Sequence, residues 1–546
     1  MTKRKRISEK RPMTASVSPK RPRTNSQERL LSRFFEPLVL LYTLGPTRRD
    51  HVHFATPSQE SIARLPLLDL RRIFLSELAY MCDYDKGGET VTAIGLQSTP
   101  QKHIFWIASN AGPKTKMIEF LRLLLTQVVD ASTSLDTADH AARLALQCIA
   151  FAIPRIRKYR SHLEPLLQKS VSYLARTKQV VEPGLLKWLQ EWEHTNSLLD
   201  LCRSAHASRK SNFMRVLGRL SAEPAYGSSR DAIHTVFGMI RHYIGRLGYH
   251  FRAADTLVSC APSLLYLLHD YEVCSVPAPA KSAMPPPDQL TRLDKVLKRM
   301  LPANCPELEL YQQALTDMEA RHQLFSRFMD NYARPGRTSC VHAEIQVLEH
   351  FYAQDIHFAY DDPYVACGKP ACYCCLLYFR HHPKQVVEPV SHNKIYLNWR
   401  PPDLSAPVGS LSANHQRDIL NAMNKEIRKE ALQQLHGKTA RTAWHPDSLT
   451  GVTSSEQAEQ FVEEASDSLG IPAENLVKHR LIKHLHAWEP SGISPVHAVV
   501  EEGSRIESLE GAFDDVITDG TSQSLQPPPE DLVSDSGDSV GILLGR

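Results

Sequence analysis

The chain has little of what would mark several broad classes of protein. Its 546 residues contain only 11 cysteines, too sparse and odd in number for a disulfide-bonded scaffold. Its 24 glycines and 36 prolines are far too few for collagen. The most apolar run, residues 121–129, is interrupted by Arg122 and falls well short of the ~18 residues that cross a bilayer. We therefore expect a soluble, intracellular protein with no membrane partner.

A strong net charge is also lacking, since the chain carries only +4 at pH 7. The charge is concentrated at the two ends. Residues 1–30 hold ten lysines and arginines against two glutamates, whereas residues 501–546 hold eleven acidic residues against two arginines. Both ends have few apolar residues, which predicts a disordered basic arm and a disordered acidic tail. The residues between these two ends are nearly neutral and do not offer the strong positive charge that attracts nucleic acid. Any binding of nucleic acid would therefore begin at the arm.

The basic arm contains two clusters, Lys3–Arg6 and Lys20–Arg23, with a polar spacer between them. This arrangement is typical of a bipartite nuclear import signal. A solvated tail that only aids solubility is the alternative. We expect a nuclear or cytoplasmic location, and the two clusters favour the nucleus.

Hydrophobic periodicity divides the rest of the chain. Two short runs rich in β-branched and aromatic residues, residues 91–96 and 103–108, predict a β-hairpin, and the residues before them have helical spacing. Apolar residues at a spacing of four predict a late amphipathic helix that ends at Gly437. We predict these segments: the arm (1–30), N-terminal helices and hairpin (31–112), a helical insertion (113–330) with a proline-rich linker (276–287), a core (331–400), a C-terminal helical extension (401–500) and the tail (501–546).

Two short strings carry the chemistry. His342-Ala343-Glu344 opens a predicted helix with Ser339 as its N-cap. Residues two apart on a helix do not share a face, so His342 and Glu344 can address one atom only at the N-terminal tip. Cys372 and Cys375 are three apart and share a face in the first turn of another predicted helix, where the helix dipole favours thiolates.

One imidazole and two thiolates form a donor set that zinc binds as a tetrahedron. Together they neutralise the charge of Zn²⁺ and leave a fourth position for water, whose pKa the metal brings near 7. Glu344 is then free to take a proton from that water and pass it to a leaving group. Such a site suits hydrolytic attack on an amidine-like ring carbon with loss of ammonia, as in the zinc deaminases of nucleobases.

At these residues the sequence resembles the cytidine-deaminase-like superfamily, and more closely its fungal-type, OTT-like branch. The shared pattern comprises residues 342–344, the turn at 367–369, the two cysteines that follow it and residues 391–396. The resemblance implies a three-layer α/β/α deaminase-like fold with a mixed sheet, beginning near residue 59, interrupted by the insertion and resuming at Thr338. It also implies that Asn110, at the end of the hairpin, contacts the sugar of the substrate. One departure is Ala371, which separates Pro370 from Cys372.

We therefore expect a zinc-dependent hydrolytic deaminase of a nucleobase, either free, in a nucleotide or in nucleic acid. Zinc would be held by His342, Cys372 and Cys375, and Glu344 would be the catalytic residue.

Two other interpretations remain open. Three further cysteines lie near the site in sequence: Cys340, Cys367 and Cys374. If one of them completes the coordination, the zinc is structural and the protein is an inert scaffold whose helical insertion binds a protein partner. The second alternative is a nuclear factor that binds nucleic acid through its basic arm.

Three histidines that lie near the cysteine pair in sequence are expected at the surface or in support of the site: His381, His382 and His392.

Overall fold

The computed structural model describes residues 26–48, 62, 64–133, 136–177, 182–193, 195, 197–222, 233–333, 338–402 and 411–438. All of them belong to the larger of the two units into which the chain divides. The basic clusters of the arm and the acidic tail lie outside the described residues. The first helix begins at Ser26 and therefore includes the last five residues of the predicted arm. Among the described helices, none is long and apolar enough to cross a membrane.

A mixed four-stranded sheet lies at the centre of the described residues. Its strands are β1 (Thr92–Ser98), β2 (His103–Ser109), β3 (Tyr271–Ser275) and β4 (Val365–Cys367), in the spatial order β3-β2-β1-β4. Strands β1 and β2 pair antiparallel, with Thr92 opposite Ser109, so the predicted hairpin is confirmed. Strand β4 is antiparallel to β1, and β3 is parallel to β2.

Helices cover both faces of this sheet. Within the described residues there are fifteen α-helices: α1 (Ser26–Leu44), α2 (Leu67–Cys82), α3 (Thr115–Thr133), α4 (Thr137–Phe151), α5 (Ile153–Arg176), α6 (Leu185–Glu193), α7 (Leu198–Ser208), α8 (Asn212–Ala222), α9 (Ile233–Leu264), α10 (Leu293–Met300), α11 (Leu308–His322), α12 (Leu324–Ala333), α13 (Ala343–Ala353), α14 (Tyr373–His381) and α15 (Leu411–His436). One core joins the sheet to α1 and α10–α15, and a second joins its other face to α2–α4 and part of α9. The expected three-layer α/β/α, deaminase-like arrangement is therefore confirmed.

Small residues on one face of the hairpin bring helix α13 close to the sheet. Ala93 and Ala108 point toward this helix, whereas Ile94 and Ile107 point into the opposite core. Gly95 lies two residues after Ala93 on the α13 side of β1, and a Cβ atom there would lie 2.7 Å from Cγ1 of Val347. The hairpin therefore fixes the position of the helix that carries the His-Ala-Glu string.

The insertion is not purely helical, which corrects one expectation. Strand β3 lies within it and covers the edge of β2, whose backbone groups would otherwise lack partners. In β3, Val273 is buried between more exposed neighbours, the alternation expected of an edge strand. Helices α11 and α12 are separate because Gln323, which lies between them, adopts a left-handed conformation with φ of 50°. Helices α5–α8 and part of α9 form a third core.

The predicted late helix is present as α15, which ends at His436, directly before Gly437. Its predicted apolar face is fully buried: Ile419, Met423, Ile427 and Ala431. Arg48, just after α1, binds Glu430 of this helix with an Nε–Oε2 distance of 3.0 Å. Helix α15 therefore packs into the same layer as α13 and α14.

Candidate metal centre

The His-Ala-Glu string lies at the N-terminal tip of helix α13, as its spacing predicts. His342 itself is the N-cap, with extended backbone angles, and the helix begins at Ala343. The prediction that Ser339 caps the helix is wrong. Ser339 exchanges two backbone hydrogen bonds with Ser282, of 2.7 and 3.0 Å, and these hold it in extended chain. The imidazole therefore projects from the last residue before the helix.

The cysteine pair lies at the N-terminal tip of helix α14. Cys372 is its N-cap, and the Cys372 sulfur accepts a hydrogen bond of 3.5 Å from the backbone N–H of Cys375. Two backbone hydrogen bonds hold the preceding residue, Ala371. Its N–H donates to the carbonyl of Val390 at 2.7 Å, and its carbonyl accepts from the N–H of His392 at 3.1 Å. Val390 and His392 thus fix the turn that presents the thiols.

Three donor atoms from these two tips converge. His342 Nδ1 lies 3.6 Å from Cys372 Sγ and 3.3 Å from Cys375 Sγ, and the two sulfurs are 3.5 Å apart. A tetrahedral zinc ion with ordinary bond lengths would separate such atoms by roughly 3.5–3.8 Å. The donor set and its spacing therefore fit a zinc ion.

The fourth corner of that tetrahedron is not filled by another protein ligand within the described ranges. The converging group consists of His342, Cys372 and Cys375, and none of the three further cysteines joins it. An ion held here would keep one position for a non-protein ligand, as a catalytic zinc does.

Burial and mutual contact set the protonation of the three ligands. Burial raises the pKa of Cys372, but hydrogen bonding with Cys375 and the charge of His342 outweigh it, and the pKa falls to about 6. Burial lowers the pKa of His342, and the Cys372 thiolate more than offsets this, so the net shift is upward. Burial raises the pKa of Cys375. A bound cation would replace the protons that the ligands share.

The carboxylate of Glu344 interacts with the thiol of Cys375 without joining the converging group. Its side chain is buried, and its Oε2 accepts a long contact of 3.9 Å from the thiol of Cys367. Burial raises the pKa of Cys367, as does the Glu344 carboxylate, so this thiol stays protonated and able to donate. The structure thus brings a carboxylate next to the ligands, where it can hold or move a proton.

Asn110 lies directly behind the motif helix. Its Oδ1 accepts a hydrogen bond of 2.8 Å from the backbone N–H of Ala343, and its Nδ2 donates one of 2.7 Å to the carbonyl of Gly88. It therefore satisfies an N–H at the start of helix α13 that the helix cannot satisfy itself. The contact with a substrate sugar stays a prediction.

A buried ion pair links the insertion to this site, and no pattern in the sequence indicated it. Arg155 of α5 donates to the carbonyl of Asp83 at 2.6 Å and lies 3.3 Å from its carboxylate. The other carboxylate oxygen of Asp83 accepts a hydrogen bond from the hydroxyl of Thr90. Thr90 belongs to the loop whose Gly88 carbonyl accepts a hydrogen bond from Asn110. The two charges lie 72 residues apart, and only the tertiary fold brings them together.

Comparison with known proteins supports the resemblance seen in the sequence. Residues 341–403 match a family model described as OTT_1508-like deaminase, which is consistent with a cytidine-deaminase-like family. The match includes both ligand strings and residues 391–396. Searches of curated proteins and of solved structures found no match.

Proposed function

We propose that the deaminase-like segment makes this protein a zinc-dependent hydrolytic deaminase acting on a nucleobase, free, in a nucleotide or in nucleic acid. One observation carries the proposal. Two segments separated in the chain bring His342, Cys372 and Cys375 within 3.3–3.6 Å of one another, and the carboxylate of Glu344 interacts with the thiol of Cys375. This is the ligand set and proton carrier that hydrolytic deamination needs.

The roles of the residues follow from their positions. When bound, zinc supplies Lewis-acid activation of water at neutral pH. Glu344 accepts a proton from the attacking water and delivers it to the amino group, so that the ring carbon gains oxygen and ammonia leaves. Cys367 orients this carboxylate through its thiol. Burial of the site keeps bulk water away from the proton transfer.

A nucleoside or nucleotide is the proposed substrate class. The net charge of the whole chain is only +4, and its excess positive charge lies in the arm rather than in the deaminase-like segment. Binding of a long polyanion would require a basic surface. The near neutrality therefore favours a small substrate.

An inert, zinc-stabilised scaffold is the alternative, and one observation favours it. Both polar atoms of the Asn110 amide are engaged inside the protein rather than directed at a ligand. The two proposals share the metal ligands and differ in catalysis.

Glu344→Gln tests the proposal together with zinc analysis. The wild type is expected to bind zinc and release ammonia from at least one member of a panel of nucleosides, nucleotides and single strands. The variant should retain its zinc and lose about 10²-fold or more in rate, because it cannot carry the proton. Glu388→Gln, an exposed glutamate paired with Arg380, is the matched control and should retain activity. Zinc-loaded wild type that releases no ammonia from any of these substrates supports the scaffold, and unchanged activity of Glu344→Gln excludes the mechanism.

A further inference from the structure

A second cluster of metal-ligating side chains lies at the opposite ends of helices α13 and α14. Glu349 is in the second half of α13, His382 follows the last residue of α14, and His415 is near the start of α15. The Oε1 atom of Glu349 lies 3.3 Å from His382 Nε2 and 3.2 Å from His415 Nε2. Glu349 follows His342 by seven residues, about 10 Å along a helix, so this cluster is separate from the first.

His382 is the most informative member of the cluster. A surface or supporting position was expected for it, but its side chain is 0% exposed. Its Nδ1 lies 3.2 Å from the backbone nitrogen and 3.4 Å from the backbone oxygen of Lys384, so either tautomer of the ring has a partner there. Its Nε2 is buried and makes no hydrogen bond. An unsatisfied buried nitrogen is costly, and here it faces the carboxylate and the second imidazole.

Neighbouring aromatic residues hold the three ligands in place. The hydroxyl of Tyr378 donates a hydrogen bond to Oε1 of Glu349, the kind of outer contact that orients a ligating carboxylate. Tyr352 stacks on His415, with ring centroids 4.4 Å apart, and meets His382 edge-on at 5.0 Å. The cluster is thus ordered and shielded, which a simple surface ion pair is not.

We propose that Glu349, His382 and His415 form a second metal site, specific for a divalent transition-metal ion such as zinc. Two imidazoles and a carboxylate are a set that zinc binds in proteins, and imidazole also suits cobalt, nickel and iron. A tetrahedral ion with ordinary bond lengths would separate the oxygen from each nitrogen by roughly 3.3–3.5 Å. The observed separations of 3.3 and 3.2 Å fit such an ion.

An ion pair between histidine and glutamate explains the cluster less well. One carboxylate oxygen faces both imidazoles, whose rings are only 5.1 Å apart. Protonating both rings would place two cations side by side in a largely buried site. A single divalent ion satisfies both nitrogens and the carboxylate at once.

Cobalt titration of the full, metal-depleted chain tests this proposal. We expect two equivalents of Co²⁺ to bind. The cluster at Cys372 gives a thiolate-to-cobalt charge-transfer band, whereas the second site contains no sulfur and adds only d–d absorption. His382→Ala should lose one equivalent and leave the charge-transfer band intact. His381→Ala is the matched control, since the His381 ring pairs at 2.6 Å with Glu426, which lies outside the cluster, and it should retain both equivalents.

A second variant distinguishes the loss of a metal ligand from a failure of the protein to fold. His415→Cys keeps a ligand and should retain two equivalents while gaining charge-transfer intensity. Binding of one equivalent by the wild type, with the charge-transfer band present, would overturn the second site and leave the deaminase proposal intact. Retention of two equivalents by His382→Ala would overturn it as well. A wild-type protein that binds cobalt without showing the thiolate-to-cobalt charge-transfer band would instead count against the first site.

Discussion

At the scale of single residues, sequence spacing predicted the candidate metal ligands at the two helix tips and missed those of the second cluster. Cys372 and Cys375 are three residues apart, and helical geometry alone places such a pair on one face. Their convergence with His342 is observed at 3.3–3.6 Å. Glu349, His382 and His415 come from three different elements and share no regular spacing. Only tertiary packing brings them together, so no pattern in the chain could indicate that site.

The buried histidine in the middle of helix α9 leads to a prediction on pH. Burial lowers the pKa of His250 well below its ordinary value near 6.5, and the neighbouring Arg155 and Arg246 lower it further. Neither ring nitrogen has a hydrogen-bond partner, and the Tyr80 ring packs at 5.3 Å. The folded protein therefore keeps this ring neutral, whereas the unfolded chain binds a proton below about pH 6.5.

His250 should thus contribute full stability above pH 7 and lose it as the pH falls. The free energy of unfolding is expected to drop between pH 7 and pH 5 with a slope of up to about 1.4 kcal/mol per pH unit from this residue. His250→Gln should flatten that part of the profile measured by urea unfolding. His269→Gln, at an exposed position, is the control and should leave the slope unchanged. An identical slope in His250→Gln would show that the ring does not titrate as described.

At the scale of elements, the approach of helix α13 to the hairpin sets the geometry of the site. Gly95→Ala would place a Cβ atom 2.7 Å from Val347 and 2.9 Å from Phe351. Overpacking of this kind typically costs about 1–3 kcal/mol, because side chains or the helix must move. We also expect weaker zinc binding, since α13 carries His342. Ser98→Ala on the exposed end of the same strand is the control, and equal stability of the two variants would contradict this account.

The elements differ in how far the sequence could predict them. The hairpin and helix α15 have clear periods of two and about 3.6, and both are present where expected. Strand β3 is only five residues long and follows a long helical stretch, so its alternation was too short to stand out. The break between α11 and α12 occurs at Gln323, a residue without the glycine signal that marks most left-handed positions.

At the scale of the whole molecule, the insertion supports the deaminase-like core through the Arg155–Asp83 pair. Both side chains are about 1% exposed, so removing one partner leaves the other charged and buried. Arg155→Met is expected to destabilise the protein by about 3–5 kcal/mol, and the double variant with Asp83→Asn should recover part of that loss. Since Asp83 belongs to the loop that holds Asn110, ammonia release should fall with the single variant too.

The matched control for that experiment lies one helical turn away. Lys158 pairs with Asp85 at 2.9 Å, but both side chains are more than a third exposed. Lys158→Met should therefore change the free energy of unfolding by less than about 1 kcal/mol. Equal losses in the free energy of unfolding of Arg155→Met and Lys158→Met would show that the buried Arg155–Asp83 pair stabilises the protein no more than the exposed pair does.

We propose a zinc ion held by one imidazole and two thiolates, with one corner of its tetrahedron left for solvent. X-ray absorption at the zinc edge measures this directly, and the His382→Ala variant confines the signal to the first site. We expect two sulfur neighbours near 2.3 Å and two lighter neighbours, of which one is the His342 nitrogen. A spectrum with three or four sulfur neighbours would contradict it, because the corner needed for catalysis would then be closed.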